Sequence, residues 1–386
     1  MRCHYSAAVL GAGPAGAFCA RELALRGHSV ALIDRGPSSH PRPIECCSPS
    51  LTRILSESRL GEIPASACRP QNSFRSRWGG ALPETRDFLF WQTSPGHVLD
   101  RKSFDEWLRS AAREAGATLI EPCKVLAVEE SAGGWRIKVL RESARDELET
   151  RFIVDAMGRT SRSARAPTAG RHDVDKLVCL FSEYALQEQE PFDATVESAP
   201  DGWWYAACAL DRCQVAYFTD ADLLGSPRGL AQGFHARLST TASMCQFARR
   251  LELQPVRATD ARTSIRKLLW RGNWLAVGDS AWTLDPLSGN GVERALASAR
   301  RAATAVSSAL IGDTSEALEG FALDTIIAFQ RALAQRREYY AAERRWSDRE
   351  FWRRRFAEPL IEMDSNAHLR PASRLSHRNL PSTPIS

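Results

Sequence analysis

The chain has 386 residues, 44% hydrophobic and 25% charged, with a formal net charge of +5. That length can fill two domains around a large core, and the composition excludes a disordered or fibrous protein. All basic residues but Lys102, Lys124, Lys138, Lys176 and Lys267 are arginine, which reads as coding bias and not as a nucleic-acid partner.

The apolar run Ser6 to Leu10 reads as a buried strand. It breaks at Gly11-x-Gly13-x-x-Gly16 and passes into a helical pattern, Ala17 to Arg26, stopped by Gly27. A second strand, Val30 to Ile33, ends in Asp34 and Arg35. This is a dinucleotide-binding order. Gly11 makes the tight turn, Gly13 lets backbone N–H groups approach a pyrophosphate, and Gly16 lets helix pack on strand. Asp34 accepts from an adenosine ribose and argues against a 2′-phosphate, so the nucleotide is FAD or NAD and not NADP. The uncharged run Tyr5 to Ala20 carries these glycines without a basic n-region, so it is not a signal peptide. No stretch is long enough to span a bilayer, and the expected location is cytoplasmic, with no membrane partner.

A helix is expected around Leu51 to Leu60, and another over Asp105 to Glu114. Strands follow at Thr118 to Ile120, Val125 to Val128, Trp135 to Leu140 and Phe152 to Val154, the last ending in Asp155-Ala-Met-Gly158-Arg159. The segments Leu177 to Leu186, Thr195 to Ser198, Trp203 to Leu210 and Gln214 to Thr219 read as an antiparallel sheet. Trp274 to Val277 is again a short strand, ending in Gly278-Asp279, and Asp285-Pro286-Leu-Ser-Gly289-Asn290-Gly291 opens a helix through Leu310. Three strand-to-turn sites are more than an NAD fingerprint requires. The fold expected is α/β. A Rossmann-like domain is assembled from 1–70, 98–168 and 271–315. A mostly antiparallel substrate domain comes from 71–97 and 169–270, C-terminal helices span 316–360, and a mobile tail covers 361–386. Within the helices, Arg331 to Phe356 mixes arginines with six aromatics. It is either a packed helix with a solvated basic face or a docking surface for an acidic partner. The ten cysteines show no CxxC pair and are expected as free thiols, with Cys46-Cys47 an unfavoured redox pair; no metal site is expected.

With these motifs in order, the chain resembles the FAD-dependent aromatic hydroxylase superfamily, which includes tryptophan halogenases and geranylgeranyl reductases. The resemblance spans roughly residues 5 to 356. It implies FAD contacts from Gly11, Gly13, Pro14, Ala15, Gly16, Asp34, Arg35, Arg101, Val125, Gly158, Asp279, Pro286, Gly289, Asn290 and Gly291. It also implies external monooxygenase chemistry. NAD(P)H reduces the flavin, O2 adds at its C4a, and an electron-rich ring attacks the resulting hydroperoxide. No nucleophile–base triad is needed. Asp285, Glu45 and His97 are candidate proton acceptors, each with a structural alternative.

Gly202-Trp203-Trp204-Tyr205 stands where the halogenases carry Trp-x-Trp-x-Ile-Pro, without the second Trp in register and without Ile-Pro. The segment Ser73 to Trp78, where halogenases need a lysine, has arginines and none. Trp203, Trp204 and Tyr205 read either as sheet core or as the substrate pocket. With the Tyr339-to-Trp352 segment, the pattern is similar to the monooxygenases that mature cysteine tryptophylquinone in quinohemoprotein amine dehydrogenases. That implies a protein substrate, the dehydrogenase small subunit, hydroxylated on a tryptophan. A small-molecule aromatic hydroxylase, a halogenase, a prenyl reductase and a non-catalytic FAD-bound chaperone are the alternatives.

Overall fold

The computed structural model describes residues 3–36, 44–87, 95–159, 170–186, 194–226, 229–312, 315–357, 361–363 and 369–371. Its first layer is an eight-stranded sheet. Four parallel strands form its centre: Trp274–Ala276, Ala144–Asp155, Cys3–Leu10 and Val30–Ile33, in that order. Each is buried on both faces where it reaches the middle of the sheet, where its residues run apolar without alternation, as in Ala7 to Leu10 and Val30 to Ile33. One face packs on helices Pro14–Ala24 and Gly291–Ile311 through Phe18, Leu296 and Val306. The other packs on helix Glu316–Ala342 through Ile326 and Phe329. Each such side chain contributes about 1.5–3 kcal/mol by leaving water. A hairpin, Cys123–Ser131 and Gly134–Arg141, pairs with the outer half of the long Ala144–Asp155 strand.

The second layer is a seven-stranded sheet, in the order Arg257–Asp260, Leu177–Ala185, Arg212–Asp220, Gly202–Cys208, Ala194–Ala199, Ser73–Arg77, Glu84–Asp87. All its pairs are antiparallel except Ala194–Ala199 with Ser73–Arg77. A small sheet of Glu45–Cys47, Gly96–Leu99 and Cys68–Gln71 stands between the two layers. The whole is α/β, Rossmann-like in its first sheet and mostly antiparallel in its second.

Helix Arg101–Glu114 starts four residues before the expected Asp105, because the Asp100 carboxylate accepts from the Ser103 N–H at 2.9 Å and caps it. The expectation that all ten cysteines are free thiols needs one correction. Cys208 and Cys213, directly opposite in the hairpin that joins Gly202–Cys208 to Arg212–Asp220, form a disulfide. Cys46 and Cys47 are separate thiols, since strand alternation sends their side chains to opposite faces. The expected mobile tail lies mostly outside the described residues; within them, Ile361–Met363 pairs antiparallel with Leu369–Pro371. Among the described residues no helix is long and apolar enough to cross a membrane.

The C-terminal helices pack, and most of their arginines are paired within the chain. Tyr340, Phe351 and Trp352 are buried. Arg336, Arg345, Arg349, Arg353, Arg354 and Arg355 all pair with carboxylates of this chain. Arg331 and Arg344 stay exposed, so an acidic partner would meet a few arginines and not the whole Arg331 to Phe356 segment. One junction has a pH signature. The buried Glu343 carboxylate accepts from the Gly79 N–H at 2.9 Å, the Ser198 hydroxyl at 2.6 Å and the Arg345 guanidinium at 2.6 Å. Burial alone would raise its pKa; these hydrogen bonds outweigh burial and bring it from 4.5 down to about 2. The folded-state value is depressed, so the contribution to stability is present above pH 4.5 and is lost as pH falls towards 2. In urea titrations across that window, Glu343→Gln is expected to be less stable than the parent at pH 7 and to lose less on acidification.

Candidate active site

The parallel strands end in register, Leu10 beside Asp155 and Ile33, and Asp155 beside Ala276. The turns after Leu10, Ile33, Asp155 and Ala276 therefore open at one edge of the sheet, where ligands bind in open α/β folds. The turns also touch. A side-chain carbon on Gly11, whose φ is +99°, would lie 2.5 Å from the Ala156 carbonyl oxygen, and one on Gly278 would lie 2.6 Å from the Ala15 Cβ. The Gly11, Asp155–Gly158 and Gly278–Asp279 turns thus form one surface. The Asp34 carboxylate holds it from below, accepting from the Ala12 N–H at 2.7 Å and the Gly36 N–H at 2.8 Å. Val125 follows two residues after Cys123, whose N–H donates to the Asp34 carbonyl, so that strand flanks the same end. Arg35 is exposed beside it.

Helix Pro14–Ala24 starts at this surface with no side-chain cap on its N-terminus, and space is open above Gly13. Helix Gly291–Ile311 also starts without a side-chain cap, after a left-handed Gly289. Two open helix N-termini beside a glycine turn are fitted to the phosphate and ring anion of a dinucleotide. Asp279 lies between, half-exposed, with Arg159 and Arg294 each 3.5 Å away. Arg294 also covers the Trp282 ring at 4.2 Å. Neither arginine contact was singled out in the sequence, where both look like surface charges.

The second helix start meets the small sheet. A Cβ on Gly289 would be 3.4 Å from the Cys46 carbonyl oxygen, and one on Gly291 would be 3.4 Å from Glu45 Oε2. Glu45 takes a short hydrogen bond from Arg101, whose fork is closed on its other side by Asp105 at 3.0 and 3.3 Å. Burial opposes the Arg101 charge, but Asp105 and Glu45 outweigh it and raise its pKa. Arg101 therefore reaches the site through Glu45. On the opposite face of the strand, Cys46 Sγ accepts from the Tyr205 hydroxyl at 2.9 Å. Burial holds the Cys46 thiol up at about 12 and the Tyr205 phenol well above its usual value, so both stay protonated at neutral pH.

Of the aromatic triplet, only Trp203 and Tyr205 share a face. Trp204 is corrected: period-2 alternation turns it to the other side of the sheet, against Tyr217 and Phe234. Trp203 is also buried, stacked on Phe218 at 4.0 Å with its indole N–H donating to the Tyr340 hydroxyl at 3.0 Å. Tyr205 alone of the three stays partly open next to Cys46.

The candidate proton acceptors separate as well. Asp285 is buried and takes hydrogen bonds from Tyr340, Arg336 and the Leu287 N–H, which makes it a structural anchor. His97 faces away from Cys46, bonded through Nε2 to the Thr52 hydroxyl at 2.9 Å, and burial lowers its pKa. Glu45 stands at the helix start itself. A groove of about 800 Å³, lined by Asp173, Lys176, Asp222 and Arg262 among others, shares no residue with these motifs, so cavity size alone points elsewhere.

A glycine-turn nucleotide edge joined to an antiparallel sheet by one face defines an FAD-dependent oxidoreductase of the aromatic hydroxylase and halogenase class. The chain belongs to the FAD binding domain family, whose profile matches residues 4–336. It is 29% identical over 366 residues to LodB of Marinomonas mediterranea, assigned as an FAD-dependent oxidoreductase, covering 92% of this chain and 97% of that one. Two solved structures share the fold. QhpG, a peptidyl tryptophan dihydroxylase essential for tryptophylquinone cofactor biogenesis, has TM-score 0.77 and 25% identity, over 96% of this chain and 86% of that one. The myxobacterial chondrochloren halogenase CndH has TM-score 0.78 and 20% identity, over 92% of this chain and 86% of that one.

Proposed function

We propose that this protein is an FAD-dependent monooxygenase that hydroxylates a tryptophan ring within a protein substrate during the making of a tryptophylquinone. The observation that carries the reading is the lysine-free site. Strands Ser73–Arg77, Gly202–Cys208 and Glu45–Cys47 and the turn 285–291 contain none of the five lysines, so the haloamine chemistry of a halogenase has no side chain to run on. The end-to-end likeness to QhpG supplies the substrate class. FAD, reduced by NAD(P)H, would supply the oxygen-activating chemistry at this site.

The residues have definite tasks in this reading. The N–H groups of Gly13, Ala15 and Gly16 would hold the pyrophosphate, and Asp34 would hold the ribose while pinning the turn. Asp279, flanked by Arg159 and Arg294, would hold the ribityl chain. The start of helix Gly291–Ile311 would hold the flavin pyrimidine, and Glu45 beside it, its charge balanced by Arg101, would accept the proton. Tyr205, fixed by Cys46, presents its ring to the substrate indole and keeps water from that side.

The test is mass. The enzyme, its reductant and heavy O2 are incubated with an unmodified precursor of a quinohemoprotein amine dehydrogenase small subunit. A gain of labelled oxygen on one tryptophan is expected. Fast turnover of free indoles or phenols with an unchanged precursor would return the protein to the small-molecule hydroxylases. Reduction of a prenyl double bond without label would make it a reductase.

A further inference from the structure

The turn that opens helix Gly291–Ile311 is held from outside the nucleotide edge. Asp285 Oδ1 accepts from the Leu287 N–H at 2.9 Å and closes the Pro286–Ser288 turn. The Asp285 N–H donates to the Thr263 hydroxyl at 3.0 Å. Its other carboxylate oxygen accepts from Arg336 Nε at 3.3 Å and from the Tyr340 hydroxyl in a short hydrogen bond. Tyr340 in turn accepts from the Trp203 indole. Tyr340 and Asp285 are both buried, so no water replaces these bonds. The chain Trp203, Tyr340, Asp285, Leu287 runs from the antiparallel sheet to the turn carrying Gly289 and Gly291. Tyr340 lies beyond residue 336, where the family match ends.

We propose that Tyr340 is a positioning residue for the flavin: through Asp285 it fixes the 286–291 turn so that the helix N–H groups stay aimed at the flavin ring. The inference rests on FAD binding and is independent of the substrate. Preorganised donors stabilise charge only when their direction is fixed, and negative charge grows on the flavin pyrimidine as it is reduced. Tyr340→Phe keeps the ring in its aromatic cluster with Trp78, Phe351 and Trp352 and removes only the hydroxyl. Asp285 then keeps Arg336 and the Leu287 N–H but loses its third restraint.

The experiment is reductive titration of the FAD-loaded protein, with the unfolding midpoint measured alongside. In Tyr340→Phe, reduced FAD is expected to lose about tenfold in affinity relative to oxidised FAD, the scale of one hydrogen bond to a charged group. That is a shift of about 30 mV to more negative potential for a two-electron couple. Asp285→Asn, which keeps both oxygen and shape at the Leu287 side, shifts the potential in the same direction and serves if Tyr340→Phe does not fold. Phe351→Leu loosens the same cluster, leaves the hydroxyl in place, and should lower the unfolding midpoint without moving the potential. An unchanged potential in Tyr340→Phe, or an equal shift in Phe351→Leu, overturns the proposal and leaves Tyr340 a packing residue.

Discussion

Gly16→Ala is expected to yield no folded protein, while Gly13→Ala, three residues away, yields a stable protein that no longer retains FAD. A methyl on Gly16 would sit 1.8 Å from the Gly11 carbonyl oxygen and 3.0 Å from the Ala156 Cβ. The first partner is backbone in a turn that itself abuts Ala156, so nothing can rotate away. Alanine gains up to about 1 kcal/mol of helix propensity there. Overpacking against fixed backbone costs about 1–3 kcal/mol where side chains can yield, and more where they cannot. The clash wins. A methyl on Gly13 meets no atom of the protein within 4 Å. It would occupy the space a pyrophosphate must enter, so FAD affinity falls by about 100-fold, the loss expected when phosphate contacts at a helix N-terminus are pushed apart. Absorbance of the purified protein and its thermal midpoint without flavin separate the cases. A yellow Gly13→Ala protein at full flavin occupancy would place the pyrophosphate elsewhere.

The contrast shows what a sequence can carry. Gly11, Gly13, Gly16 and Asp34 are legible because their work is local: a turn, an open approach, a close packing and a carboxylate one strand away. Trp204 is grouped with its neighbours although three consecutive strand residues cannot face one pocket; adjacent aromatics mask the alternation that separates them. The Cys46–Tyr205 bond could not be read, because its partners are 159 positions apart and the pattern around each says nothing of the other. Asp285 is the intermediate case. Its place before Pro286 announces a turn, yet the groups that make it an anchor, Arg336 and Tyr340, come from a helix whose arginines read as a solvated face. Charge counts say how much arginine a segment has, and only the fold says how much is already paired.

That pairing sets the second large effect. Asp220, at the end of strand Arg212–Asp220, accepts two hydrogen bonds at 2.7 Å from the Arg355 guanidinium and one at 2.9 Å from Arg354. Asp220 and Arg355 are each only about 1% exposed at the side chain. Asp220→Ala leaves the Arg355 charge buried against the rings of Tyr340 and Phe351, where no water reaches it. Removing one partner of a buried pair costs about 3–5 kcal/mol, most of it the stranded charge and not the lost attraction. Arg354 loses less, since Glu350 and Asp222 still hold it at the surface. The double variant Asp220→Leu with Arg355→Met removes both charges and is expected to recover most of the loss, because an apolar pair of similar volume pays no desolvation. Urea unfolding of the flavin-free single and double variants measures this. Flavin binding would add mass-action stability and blur the comparison. If Asp220→Ala matches the parent, helix Glu350–Phe356 is held to the sheet by its aromatics alone. If it falls as expected, the Asp220–Arg355 pair holds that helix to the sheet together with the aromatics.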